Sequence, residues 1–397
     1  MSDRRSGLPG GASVVVVGGG VTGLSAAWWL ARSGVDVVVV DKGIVGWEAS
    51  GRNGGGASHY QSPLFAEEQR LWPQLDDLLG YPTEFVRERI IIQRDPDLLG
   101  HYRAVGRMCS AMGYRVDDLD SRQAQAAVPL TDATCLGGIH LRFGGHANPQ
   151  RTVQAYAWAL QDCGGRVVQH CAVTGFAAAG GRVTGVETAR GTIAADAIVV
   201  AAGPQAEALL APLGIRFPLA AARAEMIVTE PAPLMAIGGV DGNGLYGRQT
   251  LRGNLAFGGG PHEWIATTPN GPVARPASPL IRSLARRVAE MFPRAAHLNV
   301  LRSWAGIVEN TPDGRPILDR VGNVTVATMS GVGFGLSPAS GHAVRDLVVD
   351  GACSFADIAK LGLARFAGLE PDWREQRGWA VTDRVAADRA VADRVWA

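Results

Sequence analysis

Three glycines and one acid set the first chemistry this chain can do. Gly18, Gly20 and Gly23 spell G-x-G-x-x-G, and Asp41 follows 21 residues after Gly20. In such a run one glycine permits a sharp turn, one lets the backbone approach a pyrophosphate, and one lets helix and strand pack closely. A pyrophosphate placed there meets the free N–H groups and the positive dipole end of the following helix. Asp41 can accept hydrogen bonds from ribose hydroxyls, and its charge disfavours a 2′-phosphate. The pattern predicts a site for an adenine dinucleotide other than NADP. By itself it does not separate NAD from FAD.

The elements that must hold these residues are legible around them. Val14 to Val17 is a continuous β-branched run, as in a strand buried on both faces of a parallel sheet. Leu24 to Arg32 reads as a helix, with Gly34 where a stop belongs, and Val35 to Val40 reads as a second buried strand. Strand, glycines, helix, strand and acid in register predict an α/β, Rossmann-like unit.

The bulk numbers frame this unit. The 397 residues are enough for two or more domains, and 47% apolar with 19% charged residues suits a soluble globular chain. A net charge of +1 gives no basic field for nucleic acid or an anionic membrane, so neither is expected as a partner. Five cysteines (Cys109, Cys135, Cys163, Cys171 and Cys353) without a C-x-x-C suggest neither a zinc site nor a disulfide framework. No metal is expected, and a reducing cytoplasm is the expected location. The first residues are polar and Gly-rich, and the apolar run before Gly18 is too short for a signal core or a membrane span.

The cofactor question turns on the next segment. "GIVGWEASGRNGGGAS", from Gly43 to Ser58, is a long Gly-rich polar loop directly after the ribose acid. A late block, from Arg302 to Val348, reads "W-x-G…T-P-D-G-x-P…G-x-G…G". Between them "ADAIVVAAGP" ends a strand at Gly203 and Pro204, after short alternating strands with Gly turns. On these residues the chain resembles the FAD-dependent amine oxidases and dehydrogenases of the D-amino acid oxidase, glycine oxidase and sarcosine oxidase family, over roughly Ser13 to Ala367.

The resemblance implies FAD. It implies that the loop carrying Ser50, Arg52, Asn53, Gly54 and Gly55 crosses the pyrophosphate and runs along the flavin ring, with Lys42 beside the ribose acid. Backbone groups of Val168 or Val173 would lie near the adenine, and Gly203 would close over the adenosine side. Gly331, Gly333, Phe334 and Gly335 would pass the pyrimidine edge of the flavin. Ser337 or Pro338 would begin a helix whose N–H groups stabilise charge there.

The resemblance also implies a discontinuous FAD-binding domain of the GR2 type, assigned to 12–82, 146–217 and 310–368. An α+β substrate domain, with a mostly antiparallel sheet, takes 83–145 and 218–309. Its sequence signals are strands at Phe85–Gln93, Leu219–Thr229 and Asn254–Gly260 and a helix at Pro279–Met291. A helix over Asn148–Gly165 has an Asn cap, Pro in its first turn and a Gly stop. The tail, 369–397, repeats Asp-Arg at 383/384, 388/389 and 393/394, a period of five that fits no single helical face.

The implied reaction is oxidation of a C–N bond in a small amine or amino acid. Hydride passes to flavin N5, water hydrolyses the imine, and O2 or another acceptor reoxidises the flavin. Such chemistry needs a neutral amine and a wall that aims its C–H bond. His59, directly after the flavin loop, is a candidate for the substrate or reoxidation side. Tyr246 and Arg248 in "GLYGRQ" are a candidate carboxylate pair, since Arg offers two parallel N–H bonds. Arg223 and Glu225 share a strand face that could point to the site or to solvent. Trp264 and Trp304 could be core aromatics or walls around an amine.

Three departures from the family pattern matter. Simple glycine and D-amino acid oxidases read "G-L-R-P-x-T" where this chain has Gly306-Ile307-Val308-Glu309-Asn310-Thr311. Val308 replaces the carboxylate-holding arginine, so Arg248 or Arg223 would take a carboxylate, or the substrate has none there, and Glu309 would suit a cationic amine. The cysteine near Gly306 and the lysine near Gly335 of monomeric sarcosine oxidases are missing, so FAD is expected to be non-covalent and its reoxidation altered. Covalent FMN, which the β subunit of heterotetrameric sarcosine oxidase holds on a histidine, is not expected near Pro149, although "WAGIVENTPDG" is nearest in wording to that branch. A monomer or homodimer is expected, with a hetero-subunit assembly open. The alternatives are an FAD monooxygenase fed by NAD(P)H and an electron-transferring subunit of a multi-subunit amino acid or opine dehydrogenase.

Overall fold

The structure is a computed structural model that describes residues 7–260, 262–265 and 275–369. The repeated Asp-Arg tail lies outside the described residues.

An eight-stranded sheet forms where the β-branched runs predict it. Gly11–Val17 lies at its centre, parallel to Val37–Val40 on one side and to Gly191–Val200 on the other. Arg166–Val168 extends the first side and Val324–Thr328 the second, both parallel, and Ile317–Val321 closes the edge antiparallel. The chain thus leaves the central strand in one direction and returns on the other side. Strand order reverses at the carboxyl end of Gly11–Val17, where open α/β sheets bind ligands. The expected short-strand meander is present as Val173–Ala179 and Arg182–Thr188.

Helices Val21–Arg32, Pro149–Asp162 and Gly333–Val349 cover one face of this sheet around Leu24, Trp28, Tyr156, Leu336 and Val344. The other face is closed by the meander and Ala206–Leu210 around Val15, Ile198, Val200 and Leu210. Asn148 caps its helix as expected, its side chain accepting from the amides of Gln150 and Arg151.

The last of these helices begins earlier than Ser337. It starts at Gly333 and carries Pro338 inside. Ser-Pro reads as a helix start because proline suits a first turn. Here side chains from neighbouring elements hold the turns before and at the proline. Ser25 Oγ donates to Ser337 O (2.7 Å), Trp29 Nε1 to Pro338 O (3.0 Å) and Trp72 Nε1 to Gly335 O (2.6 Å).

Two smaller sheets sit over the carboxyl edge. One pairs Val86–Gln93 with Gly137–His146, flanked by Val116–Asp120, Val240–Asp241 and Gly56–Ala57. The other pairs Ala220–Pro231 with Val300–Asn310 and with Asn254–Gly259, Leu245–Gln249 and Glu263–Ile265. Ile90, Ile92, Phe257 and Phe292 join both sheets to helix Ser278–Met291 in one apolar core. The strand Gly56–Ala57 pairs with Gly145 and His146, which stitches the end of the Gly-rich loop to this roof.

Candidate active site

The fingerprint residues form the expected cradle. Gly18 has φ +110°, and a Cβ there would lie 2.4 Å from Ala201 O. A Cβ on Gly23 would lie 2.0 Å from Gly18 O, so any side chain would push the helix off the strand. The helix begins at Val21 behind Gly20, with no acidic residue in its first turn. Ser50 Oγ accepts from Val21 N (3.0 Å) and ties the second loop to this N-terminus. Asp41 accepts from Gly19 N and Gly43 N, each at 2.7 Å, one bond to each carboxylate oxygen. Each oxygen keeps a lone-pair direction for a ribose hydroxyl. Asp41 N donates to Val168 O and Cys171 N to Asp41 O, which places the segment before Val173 against the acid. Lys42 lies at the surface beside Glu48, 3.5 Å away. A side-chain-free turn, an anion-favouring helix start and a ribose acceptor fit the ADP half of FAD.

The Gly-rich loop holds its own shape. Asn53 Nδ2 donates to Ala49 O and Ser50 O, and its Oδ1 accepts from Gly55 N (2.8 Å). Arg52 donates through Nε to Trp47 O (2.6 Å) and through Nη1 to Ala305 O (2.9 Å), while Trp304 Nε1 donates to Arg52 O. Both polar side chains thus act on the loop backbone, and Trp304 is a loop anchor.

Beyond this loop lies a cavity of ≈350 Å³. Asn53, Gly54, Gly55 and Gly56 line it from one side, together with Gly331, Phe334 and Gly335 at the start of the late helix. Ala224, Met226, Tyr246, Arg89 and Asp241 line it from the roof. This is the size and the placement of a small-ligand pocket between two units.

Several candidate residues meet here. His59 lines the cavity. Its Nδ1 stands 2.9 Å from Glu68 Oε1, and its backbone N donates to Glu68 Oε2 (3.1 Å). Glu68 is fully buried. The imidazole packs on Gly335, where a Cβ would lie 2.1 Å from His59 Cε1. Tyr246 lines the roof over Gly54, and burial pushes its hydroxyl up to about 12. It therefore stays a donor at neutral pH.

Other candidates stand elsewhere. Arg248 is on the same strand face as Tyr246 but reaches behind the loop, where Nη1 donates to Gly54 O (2.8 Å). Burial lowers its pKa to about 10. It does not line the cavity, so the carboxylate pair with Tyr246 does not form there. Glu309 alternates with Val308 and Asn310, which do line the cavity, and so points away. Its Oε1 accepts from Met329 N (3.0 Å), its Oε2 lies near Gly203, and burial raises its pKa. Arg223 and Glu225 alternate likewise with Ala224 and Met226. They pair with each other (3.0 Å) and Arg223 pairs with Glu263, on the far face of the sheet. Trp264 sits on Glu263–Ile265 opposite Ala222.

Sequence reasoning missed Glu68, Arg89, Asp241 and His146. Arg89 is aimed inward by a bulge. The register with Gly137–His146 slips between Arg87 and Arg89, and Glu88 between them has φ +77°. A left-handed non-glycine residue costs about 1–3 kcal/mol. The Glu88 carboxylate is held by His140 Nε2 (2.8 Å) and Arg142 Nη1 (3.1 Å). Arg89 then pairs side-on with Asp241 through Nε (3.1 Å) and Nη2. Removing Asp241 would leave the buried Arg89 charge uncompensated, a loss of about 3–5 kcal/mol. Behind the pair His146 is buried, and burial with Arg89 and Arg248 pushes it down to about 3, so it is neutral. Glu68 reads in sequence as an ordinary residue of an amphipathic helix, and the bulge leaves no sequence signal.

The pattern of the family described as FAD dependent oxidoreductase, DAO, matches residues 13–347. The β subunit of sarcosine oxidase from Rhodobacter capsulatus is 28% identical over 372 residues, covering 89% of this chain and 88% of that one. Glycine oxidase from Pseudomonas putida is 30% identical over 325 residues, covering 78% of this chain and 85% of that one. In three dimensions the chain is similar to L-proline dehydrogenase from P. horikoshii, with a TM-score of 0.82 at 24% identity over 90% of this chain and 98% of that one.

Proposed function

The chain belongs to the FAD dependent oxidoreductase family, and from that premise we propose that it oxidises a C–N bond of a small amine or amino acid to an imine, which water then hydrolyses. When bound, FAD supplies the acceptor for two electrons. The segments 12–82, 146–217 and 310–368, which carry the eight-stranded sheet, are assigned to the cofactor. The segments 83–145 and 218–309 are assigned to the substrate.

The observation that carries this reading is the cavity between the Gly54–Gly56 loop and the antiparallel roof, with His59 at its wall. An amine reaches the enzyme mainly as an ammonium ion and must lose a proton before its C–H bond can break as hydride. A carboxylate at Glu68 only accepts hydrogen bonds, so the neutral form of the imidazole would carry its hydrogen on Nδ1 and leave Nε2 as the proton acceptor. His59 takes the proton and Glu68 positions it. The Tyr246 hydroxyl donates to a polar group of the substrate. Arg248 holds the carbonyl of Gly54 and so fixes the loop under the flavin. Glu309 faces the cofactor side near Gly203.

Anaerobic mixing with D- and L-amino acids, N-methyl amino acids and polyamines tests the proposal by loss of flavin absorbance. A second reading is favoured by the relative named as a subunit. A chain that hands electrons to a partner would turn over slowly with O2 alone and be rescued by a dye acceptor. Among the described residues no helix is long and apolar enough to cross a membrane.

A further inference from the structure

The roof of the cavity presents a carboxylate, and we propose that Asp241, held by Arg89 on a strained bulge, binds a positively charged group of the substrate remote from the oxidised C–N bond. The substrates of this enzyme then carry a second cationic nitrogen. The inference rests on the reading of the cavity as the substrate pocket.

Three observations lead here. The first is the bulge. The extra residue Glu88, in a left-handed conformation, turns the next side chain into the cavity, a use to which bulges near sites are put. The guanidinium arrives beside the flavin loop, since a Cβ on Gly56 would lie 3.5 Å from Arg89 Nη1.

The second is how Arg89 is engaged. Nε and Nη2 go to Asp241, Nη2 also donates to Gly247 O (3.3 Å), and Nη1 donates to Gly145 O (3.3 Å). That leaves one of its five N–H groups for a ligand. An incoming carboxylate would find one donor and lie against the Asp241 carboxylate.

The third is which end of the pair the cavity meets. The Arg89 side chain is 3% exposed and that of Asp241 is 24% exposed. Asp241 accepts two bonds from Arg89 and one from Gly247 N (3.3 Å), and the site that remains, on Oδ2, suits an N–H group of a cation. Arg248 does not compete, because it lies behind the loop on Gly54 O. The neutral His146 adds no positive charge.

Three isosteric probes that cannot be oxidised to an imine separate the charges: butanamidinium, butanamide and butanoate. Each is titrated into the FAD-loaded protein, and binding is read from the perturbed flavin spectrum. Butanamidinium is expected to bind about tenfold or more tightly than butanamide, the scale of a charge-assisted hydrogen bond. Asp241→Asn is expected to abolish that preference while the flavin stays bound. If the single variant does not fold, the double variant Arg89→Met/Asp241→Leu removes the pair without leaving an unpaired charge, and the same loss is expected. Tightest binding of butanoate, equal binding of amidinium and amide, or a preference that survives the substitution would overturn the cation site. A chain that binds no FAD would sink the proposed function itself, whereas FAD without amidinium preference sinks only this inference.

Discussion

His59 and Glu68 stand 2.9 Å apart, with the imidazole on the cavity wall and the carboxylate fully buried behind it. The same carboxylate also takes the backbone N–H of His59, so ring and main chain are fixed together. Cε1 and Nδ1 of the ring pack on Gly335. That contact fixes the imidazole against the start of the late helix.

Glu68→Gln is predicted to slow flavin reduction by about tenfold to a hundredfold, less than the roughly 10²–10⁴-fold of a proton acceptor itself, because Glu68 only positions His59. KM should change little and FAD content should stay at the wild-type level. Glu68→Asp should recover part of the rate. A variant that loses KM and kcat together, with FAD released, would mean that Glu68 serves the fold alone. Stopped-flow reduction with a matched absorbance spectrum distinguishes the two.

Asp41→Ala is predicted to weaken FAD binding by about tenfold to a hundredfold, from the loss of charge-assisted hydrogen bonds at the ribose. It also frees the amides of Gly19 and Gly43. Fluorescence titration of the apo-protein measures this. Wild-type affinity in the variant would remove Asp41 from the cofactor site.

Arg248→Met is predicted to affect reduction by carboxylated and uncarboxylated substrates by the same factor. Its Nη1 holds Gly54 O, so it acts on the loop rather than on a substrate charge. A loss confined to carboxylated substrates would restore it as a carboxylate anchor.

Acid stability should depend on Glu67. Burial opposes its ionised form, but hydrogen bonds from Arg70 and His342 prevail and hold the carboxyl near 2, below its ordinary 4.5. A depressed carboxyl stabilises the fold fully above its unfolded value, and that contribution is lost as pH falls through the folded one. The bond ties helix Phe65–Leu71 to the late helix, where His342 also stacks between Trp29 and Phe355. Thermal unfolding should show a fall in Tm between about pH 4.5 and 2 that is flatter in Glu67→Gln. Parallel curves for the two proteins would contradict this.

The cofactor side of the molecule was legible because dinucleotide binding is written in contiguous residues. Val14 to Asp41 contains strand, turn, helix, strand and acid in order, and each meets the next within one βαβ unit. The roof was not legible, because its contacts join distant residues. Arg89 and Asp241 are 152 positions apart, and only a one-residue slip in register brings them together. The family resemblance paired Tyr246 with Arg248, but one face of a strand runs from the cavity to the back of the loop within two residues, and of the two only Tyr246 lines the cavity. At Glu309 the alternation itself holds, and Val308 and Asn310 take the cavity face. The start of the late helix was misplaced because Pro338 lies inside the helix, whereas local rules put a proline at its first turn.

The most direct test of the central claim is the flavin absorbance of the FAD-loaded protein under anaerobic conditions. Addition of an amine or amino acid, without NADH or NADPH, is predicted to bleach the flavin at a rate that rises with substrate concentration. Bleaching by NADPH in the absence of any amine, with none by the amines themselves, would contradict C–N oxidation and assign the chain to monooxygenase chemistry.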